Sequence, residues 1–346
     1  MKRVGILGLP QSGKTTVFEL LLEGAGAQAT GPSGREQVGV VRVPDERVDR
    51  LSALYKPKKT TYAQIQFVDT VAASGASARS AAKGQDLFAS VRNCDALMAV
   101  VRGFESLEPP DPARDLKNVD AEFILNDLAI VENRMGKLEK ELRIGKKQNE
   151  REHALLGRLR TLLEAEKPLR AERFDLEEDK LIRGFQMLTL KPLLVVVSQD
   201  DRSSPELPDP GAASLAIGLR AQVEREIASL PQEERPAFRA ELGITEDGLS
   251  RVIRACYRLL GLVSFFTVGP DEVRAWTVHQ GDKAVDAAGE IHTDLAKGFI
   301  RAEVIHCDQL LALGGHSQAR DKGLLRLEGR DYVVQDGDCM EIRFNK

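Results

Sequence analysis

Gly8-Leu9-Pro10-Gln11-Ser12-Gly13-Lys14-Thr15-Thr16 decides how this chain is read. The spacing is G-x-x-x-x-G-K-[ST]. An apolar run at 4–7 precedes it, and Val17-Phe18-Glu19-Leu20-Leu21-Leu22 follows it. Strand, glycine-bounded loop and helix, in that order, form the setting in which this pattern cradles phosphate. Loop and helix N-terminal N–H groups face the anion, and the helix dipole favours negative charge there. The expected ligands of a nucleoside triphosphate are therefore Gly8, Pro10, Gln11, Ser12, Gly13, Lys14, Thr15 and Thr16. Lys14 would reach the β- and γ-phosphates, and the Thr15 hydroxyl would ligate Mg²⁺. The competing reading, a strand–helix turn with a chance lysine, leaves the agreement of motif and flanks without a cause.

Outward from the loop, a helix over 14–23 runs into a Gly- and Ala-rich stretch at 24–34 with no apolar period, which reads as a loop. A triphosphate switch closes such a segment over the γ-phosphate through a hydroxyl on the metal. Ser33 and Thr30 are the candidates, beside the plain-linker alternative. Residues 38–43 read as a strand, and Pro44-Asp45-Glu46-Arg47 as a helix start. A second strand over 63–68 ends in Asp69, which is either a Mg²⁺-side carboxylate at a strand end or a helix N-cap. Asp69-Thr70-Val71-Ala72 stands where switch proteins carry D-x-x-G, and Ala73 offers no side chain to orient a water.

Strands over 95–101 and 193–197 complete a set of apolar runs suited to a parallel sheet buried on both faces. Between them Ile124, Leu128, Val131, Met135, Leu138 and Leu142 keep a heptad seam, broken at Ile144-Gly145-Lys146-Lys147. Leu155, Leu159 and Leu162 resume helical spacing until Lys167-Pro168, so an antiparallel hairpin is expected, each arm on the order of 30 Å. Its tip at 143–147 is basic and reads as solvated, or as a contact for nucleic acid or a partner. The last strand ends in Ser198-Gln199-Asp200-Asp201, where guanine-binding proteins carry Asn-Lys-x-Asp. Asp201 keeps a carboxylate but Asn and Lys are missing, so guanine specificity is not expected. Helices are expected over 219–230 and 249–260.

The 346 residues allow two or three domains, and 42% apolar with 29% charged residues is the balance of a folded globular protein. A net charge of −4 argues against nucleic-acid binding through bulk charge, though not against local basic faces. Cys94, Cys256, Cys307 and Cys339 have no C-x-x-C spacing and read as cytosolic thiols. The adjacent pair His306-Cys307 reads as packing. Met1-Lys2-Arg3 leads straight into the first strand, no apolar run nears the ~20 residues of a membrane span, and a cytoplasmic protein is expected.

Beyond Gly261 the texture becomes short strands, small helices and Gly-Asp turns, including strand-like runs at 271–278, 298–304 and 332–338. A compact mixed sheet of roughly 80 residues around a short helix is expected. The runs EVRAWTV, IHTDLAKGFIRAEVI, LEGRDYVVQDGD and the ending RFN resemble the C-terminal part of the YchF (Obg-like ATPase) family. GLPQSGKTT, GVVRVPDERVDRLSALYKPKK and FFTVGPDEV resemble the same family in the same order.

The resemblance implies an α/β fold: a TRAFAC-class P-loop NTPase G domain with a mostly parallel sheet over 1–119 and 168–261. A helical coiled-coil hairpin would be inserted at 120–167, and a β-grasp TGS-like domain would follow at 262–346. It further implies ATP rather than GTP, slow hydrolysis, Mg²⁺, ribosome or ribosomal RNA as partner, and a monomer. Gly8, Gly13, Lys14, Thr15 and Thr16 match the family's phosphate loop, Asp69 its Mg²⁺-side aspartate, and Ser33 its switch threonine. The family's Asn-x-x-Glu base motif falls on Ser198–Asp201, its Ser-Ala-Lys loop near Arg220-Ala221-Gln222, and its Asp-x-Ala-Gly on 69–72 without the glycine. Ser198, Asp201 and Ala221 are therefore the expected base-side residues, and Thr15, Ser33 and Asp69 the metal ligands. These departures leave two readings: a slow nucleotide switch, or a degenerate nucleotide-binding module that docks on ribosome or RNA through the TGS-like domain and hairpin. Trp276, Arg274, Phe299 and Arg301 are candidates for an RNA-facing patch, with core packing favoured for Trp276 and Phe299.

Overall fold

The computed structural model describes residues 1–24, 36–70, 88–106, 108–144, 149–201, 205–231, 233–244 and 246–345. Thr30, Ser33, Ala72, Ala73 and the hairpin tip at 145–147 lie outside the described residues. The strands in chain order begin with β1 (Lys2–Gly8), β2 (Glu36–Arg42), β3 (Lys59–Thr61) and β4 (Gln64–Thr70). β5 (Ala96–Gly103), β6 (Leu193–Gln199), β7 (Ser214–Leu219) and β8 (Leu262–Val268) follow. The last are β9 (Glu272–His279), β10 (Phe299–His306), β11 (Arg326–Glu328) and β12 (Asp338–Phe344). The chain divides into two units, Met1–Val41 with Gln66–Val252, and Arg42–Ile65 with Ile253–Lys346.

The first unit is built on a sheet in the order β2-β4-β1-β5-β6-β7. β1 pairs β5, β5 pairs β6 and β6 pairs β7, all parallel. Val4, Ile6, Leu97–Val101 and Leu193–Val197 are excluded from solvent, as expected of strands covered on both faces. β7 corrects the reading of 219–230 as helix throughout. Leu219 closes a strand, and the helix Ala221–Ser229 begins two residues later. Ser214–Leu219 is rich in Ser, Ala and Gly, with little intrinsic strand preference, and its pairing with β6 supplies what the residues lack.

The heptad seam lies on one helix, Pro112–Arg143, capped by Asp111, whose carboxylate accepts the Arg114 N–H. Its first turns bury Leu116, Val119 and Phe123 in the core of the sheet, while Ile124, Val131, Met135 and Leu138 meet Leu155, Leu156, Leu159 and Leu163. Those last four belong to the returning helix Glu150–Glu164. Arg134 pairs with Glu152, and Asn149 donates to Glu141, so the arms run antiparallel. They are unequal, 32 residues against 15, about 48 and 23 Å at ~1.5 Å per residue. The return ends where Glu166 turns to φ 57° and the Lys167 N–H bonds the Leu162 carbonyl, just before Pro168, and Leu169, Ile182 and Met187 fill the seam beyond it.

The second unit carries a sheet in the order β11-β10-β12-β8-β9-β3. Asp45 caps the helix Glu46–Tyr55, so Pro44 precedes the cap instead of opening the first turn, and Lys59–Thr61 joins β9 in parallel as an edge. The two short helices Ala284–Ile291 and Thr293–Lys297 lie on one face, over a core of Phe265, Val278, Ala284, Ala288, Phe299, Val304 and Met340. Residues 332–338 are not a strand as expected. Val333 makes an isolated bridge to Lys283, and the ladder starts at Asp338, where β12 pairs β10. Asp338 is buried and accepts bonds from the Gln335 N–H and the Tyr332 hydroxyl, fixing that turn before the strand.

Candidate functional site

At the carboxyl end of β1 the chain turns at Leu9 and Pro10, passes Gln11 at φ 62° and Gly13 at φ 89°, and enters the helix Lys14–Gly24. The Ser12 N–H closes the turn on the Leu9 carbonyl at 3.2 Å. Two glycines are required by space, and Gly13 by its φ as well. A Cβ on Gly8 would stand 2.6 Å from the Ser12 Oγ and 2.7 Å from the Val100 carbonyl oxygen. A Cβ on Gly13 would stand 2.7 Å from the Ser198 Oγ. The Ser12 hydroxyl is buried with no protein partner, which a native interior rarely tolerates without a ligand or water to complete it.

Lys14 and Asp69 converge in front of this loop. The ammonium of Lys14 donates to Asp69 Oδ1 at 2.6 Å, with both side chains largely buried. Burial pushes the Asp69 carboxyl above its ordinary range, and the Lys14 hydrogen bond and charge pull it back. Asp69 sits inside β4, one residue short of its end, and does not cap a helix. Thr15, exposed in the first helical turn, presents the second hard oxygen. Its hydroxyl and the Asp69 carboxylate are the donor type that Mg²⁺ takes. The first turn's N–H groups, the lysine and the orphaned Ser12 hydroxyl are the donor type that a polyphosphate takes. The residues present therefore fit both groups.

The expected base-side residues are brought to the same edge. Ser198, opposite Arg102 on β5 and Leu219 on β7, is buried with its hydroxyl against Gly13. Ala221 is buried in the helix after β7, while Asp201 is exposed beyond the end of β6. Gln199, still in β6, lies against Gly218. Two relationships had not been foreseen: the seating of Ser198 beneath the glycine of the phosphate loop, and Phe104, whose ring edge lies 3.6 Å from the same Cβ position. Both join residues far apart in sequence, and no local pattern signals either. Pro10, Gln11 and Thr16 occupy the loop and first turn as expected.

Elsewhere, His306, Cys307 and Asp308 bring ligand-type atoms within 4.8 Å of one another. His306 Nδ1 accepts the Asp308 N–H, and burial pushes the Cys307 thiol up to about 11, so the group acts as a helix cap beside a protonated thiol. Phe299 is in the core as expected, and Trp276 is half-buried. Among the described residues no helix is long and apolar enough to cross a membrane.

A parallel sheet whose first strand feeds a glycine-bounded loop and helix, with an aspartate from a neighbouring strand facing the loop lysine, defines a P-loop NTPase fold. Residues 262–345 match the family model YchF-GTPase_C, described as a protein of unknown function (DUF933). The chain is 38% identical over 360 residues to a Bacillus subtilis protein named ribosome-binding ATPase YchF, covering 99% of this chain and 98% of that one. A Haemophilus ducreyi protein of the same name is 37% identical over 359 residues, covering 99% of each. The solved structure of the Schizosaccharomyces pombe YchF GTPase superposes with a TM-score of 0.81 at 27% identity, covering 99% of this chain and 97% of that one. This chain belongs to the YchF family.

Proposed function

We propose that this chain binds a nucleoside triphosphate with Mg²⁺, ATP in preference to GTP, hydrolyses it slowly, and acts as a cytoplasmic, monomeric switch on the ribosome. The observation that carries the reading is the Lys14–Asp69 pair standing before a loop that leaves Ser12 without a partner. Relatives named ribosome-binding ATPase, and a yeast neighbour named a GTPase, support it. Lys14 and the backbone N–H groups around Gly13 would hold the phosphate oxygens and stabilise the charge that grows on them. Thr15, Asp69 and Ser33 would hold Mg²⁺, which when bound neutralises phosphate charge. Ser198, Asp201 and Ala221 would line the base side, where the missing Asn-Lys-x-Asp argues against guanine. Slow turnover is expected from Ala73, which has no side chain to orient water, and from Ala72 in place of the switch glycine.

Calorimetric titration of ATP and of GTP, each with Mg²⁺, tests binding and base choice. Phosphate release by wild type and Lys14→Ala, with and without ribosomes, tests turnover. Equal rates for the two proteins would sink the enzymatic reading. The same alanines and Ser198 favour a second reading, in which nucleotide is held without significant turnover while the chain docks on ribosome or RNA. Ribosome co-sedimentation that is the same with ATP, ADP and no nucleotide is the outcome that reading requires.

A further inference from the structure

Among the described residues, five arginines lie over aromatic rings. Arg47 over Phe266 also bonds Asp45 and Asp336, and Arg326 over Tyr332 faces Asp338 and Glu328. Arg158 over Phe174 bonds Glu178, and Arg330 near Phe299 reaches that residue's carbonyl. Arg274 is different. Its guanidinium carbon lies 3.8 Å from the centroid of the Trp276 ring, the closest of the five. Among the described residues it has no hydrogen-bond acceptor and no ion pair, and its Nε is buried without a partner. Glu272, on the same side of β9, is taken by Thr61 at 2.6 Å and by Lys59 at 3.5 Å.

The ring beneath Arg274 is held. Trp276 Nε1 donates to Thr267 Oγ1 at 2.9 Å, and the indole stacks at 16° on Phe265, which is wholly buried. Phe265, Trp276 and Arg274 thus form layers that pass from the core of the second unit to its half-exposed face. The outermost layer is a charged plane with free donors. A guanidinium plane stacks bases of unpaired RNA, and its N–H groups bond phosphate oxygens.

We propose that Arg274, laid on Trp276, docks single-stranded RNA, stacking one base and bonding an adjacent phosphate. This rests on the ribosome association proposed above and names a contact for it.

Trp276 is the chain's single tryptophan, so its fluorescence reports the site directly. The full chain, free of nucleotide, is titrated with a short single-stranded oligouridine and oligoadenosine, and ribosome co-sedimentation is measured in parallel. Wild type should show saturable quenching that weakens with salt. Arg274→Gln should bind at least about tenfold more weakly, and Arg274→Lys, which keeps charge but not the plane, should fall between them. Melting curves establish that the variants fold, and Arg274→Lys serves if Arg274→Gln does not. Three results overturn the proposal: no quenching in wild type, quenching indifferent to Arg274, or equal quenching by an oligoglutamate peptide. Arg274-dependent quenching without ribosome co-sedimentation would sink the ribosomal reading and keep this one. Co-sedimentation without Arg274-dependent quenching would do the reverse.

Discussion

The Lys14 ammonium and the Asp69 carboxylate, 2.6 Å apart, neutralise each other across the mouth of the phosphate loop. On the proposed function a triphosphate would draw the lysine away, and a divalent cation would take the aspartate. Asp69→Asn should therefore leave ATP binding without Mg²⁺ unchanged or tighter, while abolishing the gain that Mg²⁺ gives wild type. Lys14→Ala should weaken binding about tenfold or more in either condition, through loss of a charge-assisted bond. Titrations with and without a chelator separate the two variants. A full Mg²⁺ gain in Asp69→Asn would refute the assignment of that carboxylate.

Ser12 leads to a pair of opposite effects. Its hydroxyl is buried and unbonded in the ligand-free chain, so Ser12→Ala should raise ligand-free stability by up to about 1 kcal/mol. The same substitution should weaken triphosphate binding several-fold. Thermal melting and calorimetry on one preparation check both signs.

Gly13 and Ser198 should be coupled. Gly13→Ala meets the Ser198 hydroxyl and also forces φ 89° on a residue with a side chain. Adding Ser198→Ala should relieve the collision but leave about 1–2 kcal/mol of backbone cost. A double-mutant cycle on urea unfolding would show a non-additive gain, whereas strict additivity would mean the contact is not felt.

Arg47 should stabilise the second unit strongly. It is held by Asp45 at 2.7 Å and Asp336 at 2.7 Å, and lies over Phe266 at 5.1 Å. Arg47→Lys keeps the charge but not the fork, and should cost about 1–2 kcal/mol, with Arg47→Ala costing more. Urea titration followed by Trp276 fluorescence measures both.

His316 predicts a pH dependence. Burial lowers its pKa below 6.5, with Glu341 and Glu303 opposing and Arg320 reinforcing, while Tyr55 Oη contacts Nδ1 at 2.9 Å. The folded state disfavours the proton, so stability is complete above 6.5 and declines as pH falls from there towards the lowered value. Melting temperature should fall more between about pH 7.5 and 5.5 in wild type than in His316→Gln.

The phosphate loop was legible because everything that defines it is local: spacing, flanking apolar runs and the demand for glycine. Asp69 was legible because a carboxylate ending an apolar run is conspicuous. The strand Ser214–Leu219 was hidden by small residues, and Lys59–Thr61 by polarity and brevity, since both owe their form to a neighbour far along the chain. The long helix was seen only where its seam faces the returning arm. Its first turns pack on the sheet instead, so the heptad does not extend to Pro112. Ser198 is expected on the base side only through the family resemblance, and its contact with Gly13 belongs to tertiary packing that leaves no trace in either local stretch.

The inclusion of Arg42–Ile65 in the second unit bears on how that unit is made. A chain emerging during synthesis presents Arg47 and Tyr55 early, while Asp336 and His316 arrive only after most of the polypeptide has been built. Until then the helix Glu46–Tyr55 and the edge strand beside it have no sheet to join. A recombinant fragment limited to 262–345 would lack both, and would expose the flank of β9 that they pair with and cover. The C-terminal unit is therefore a late-closing assembly drawn from two stretches of the chain that lie far apart in sequence.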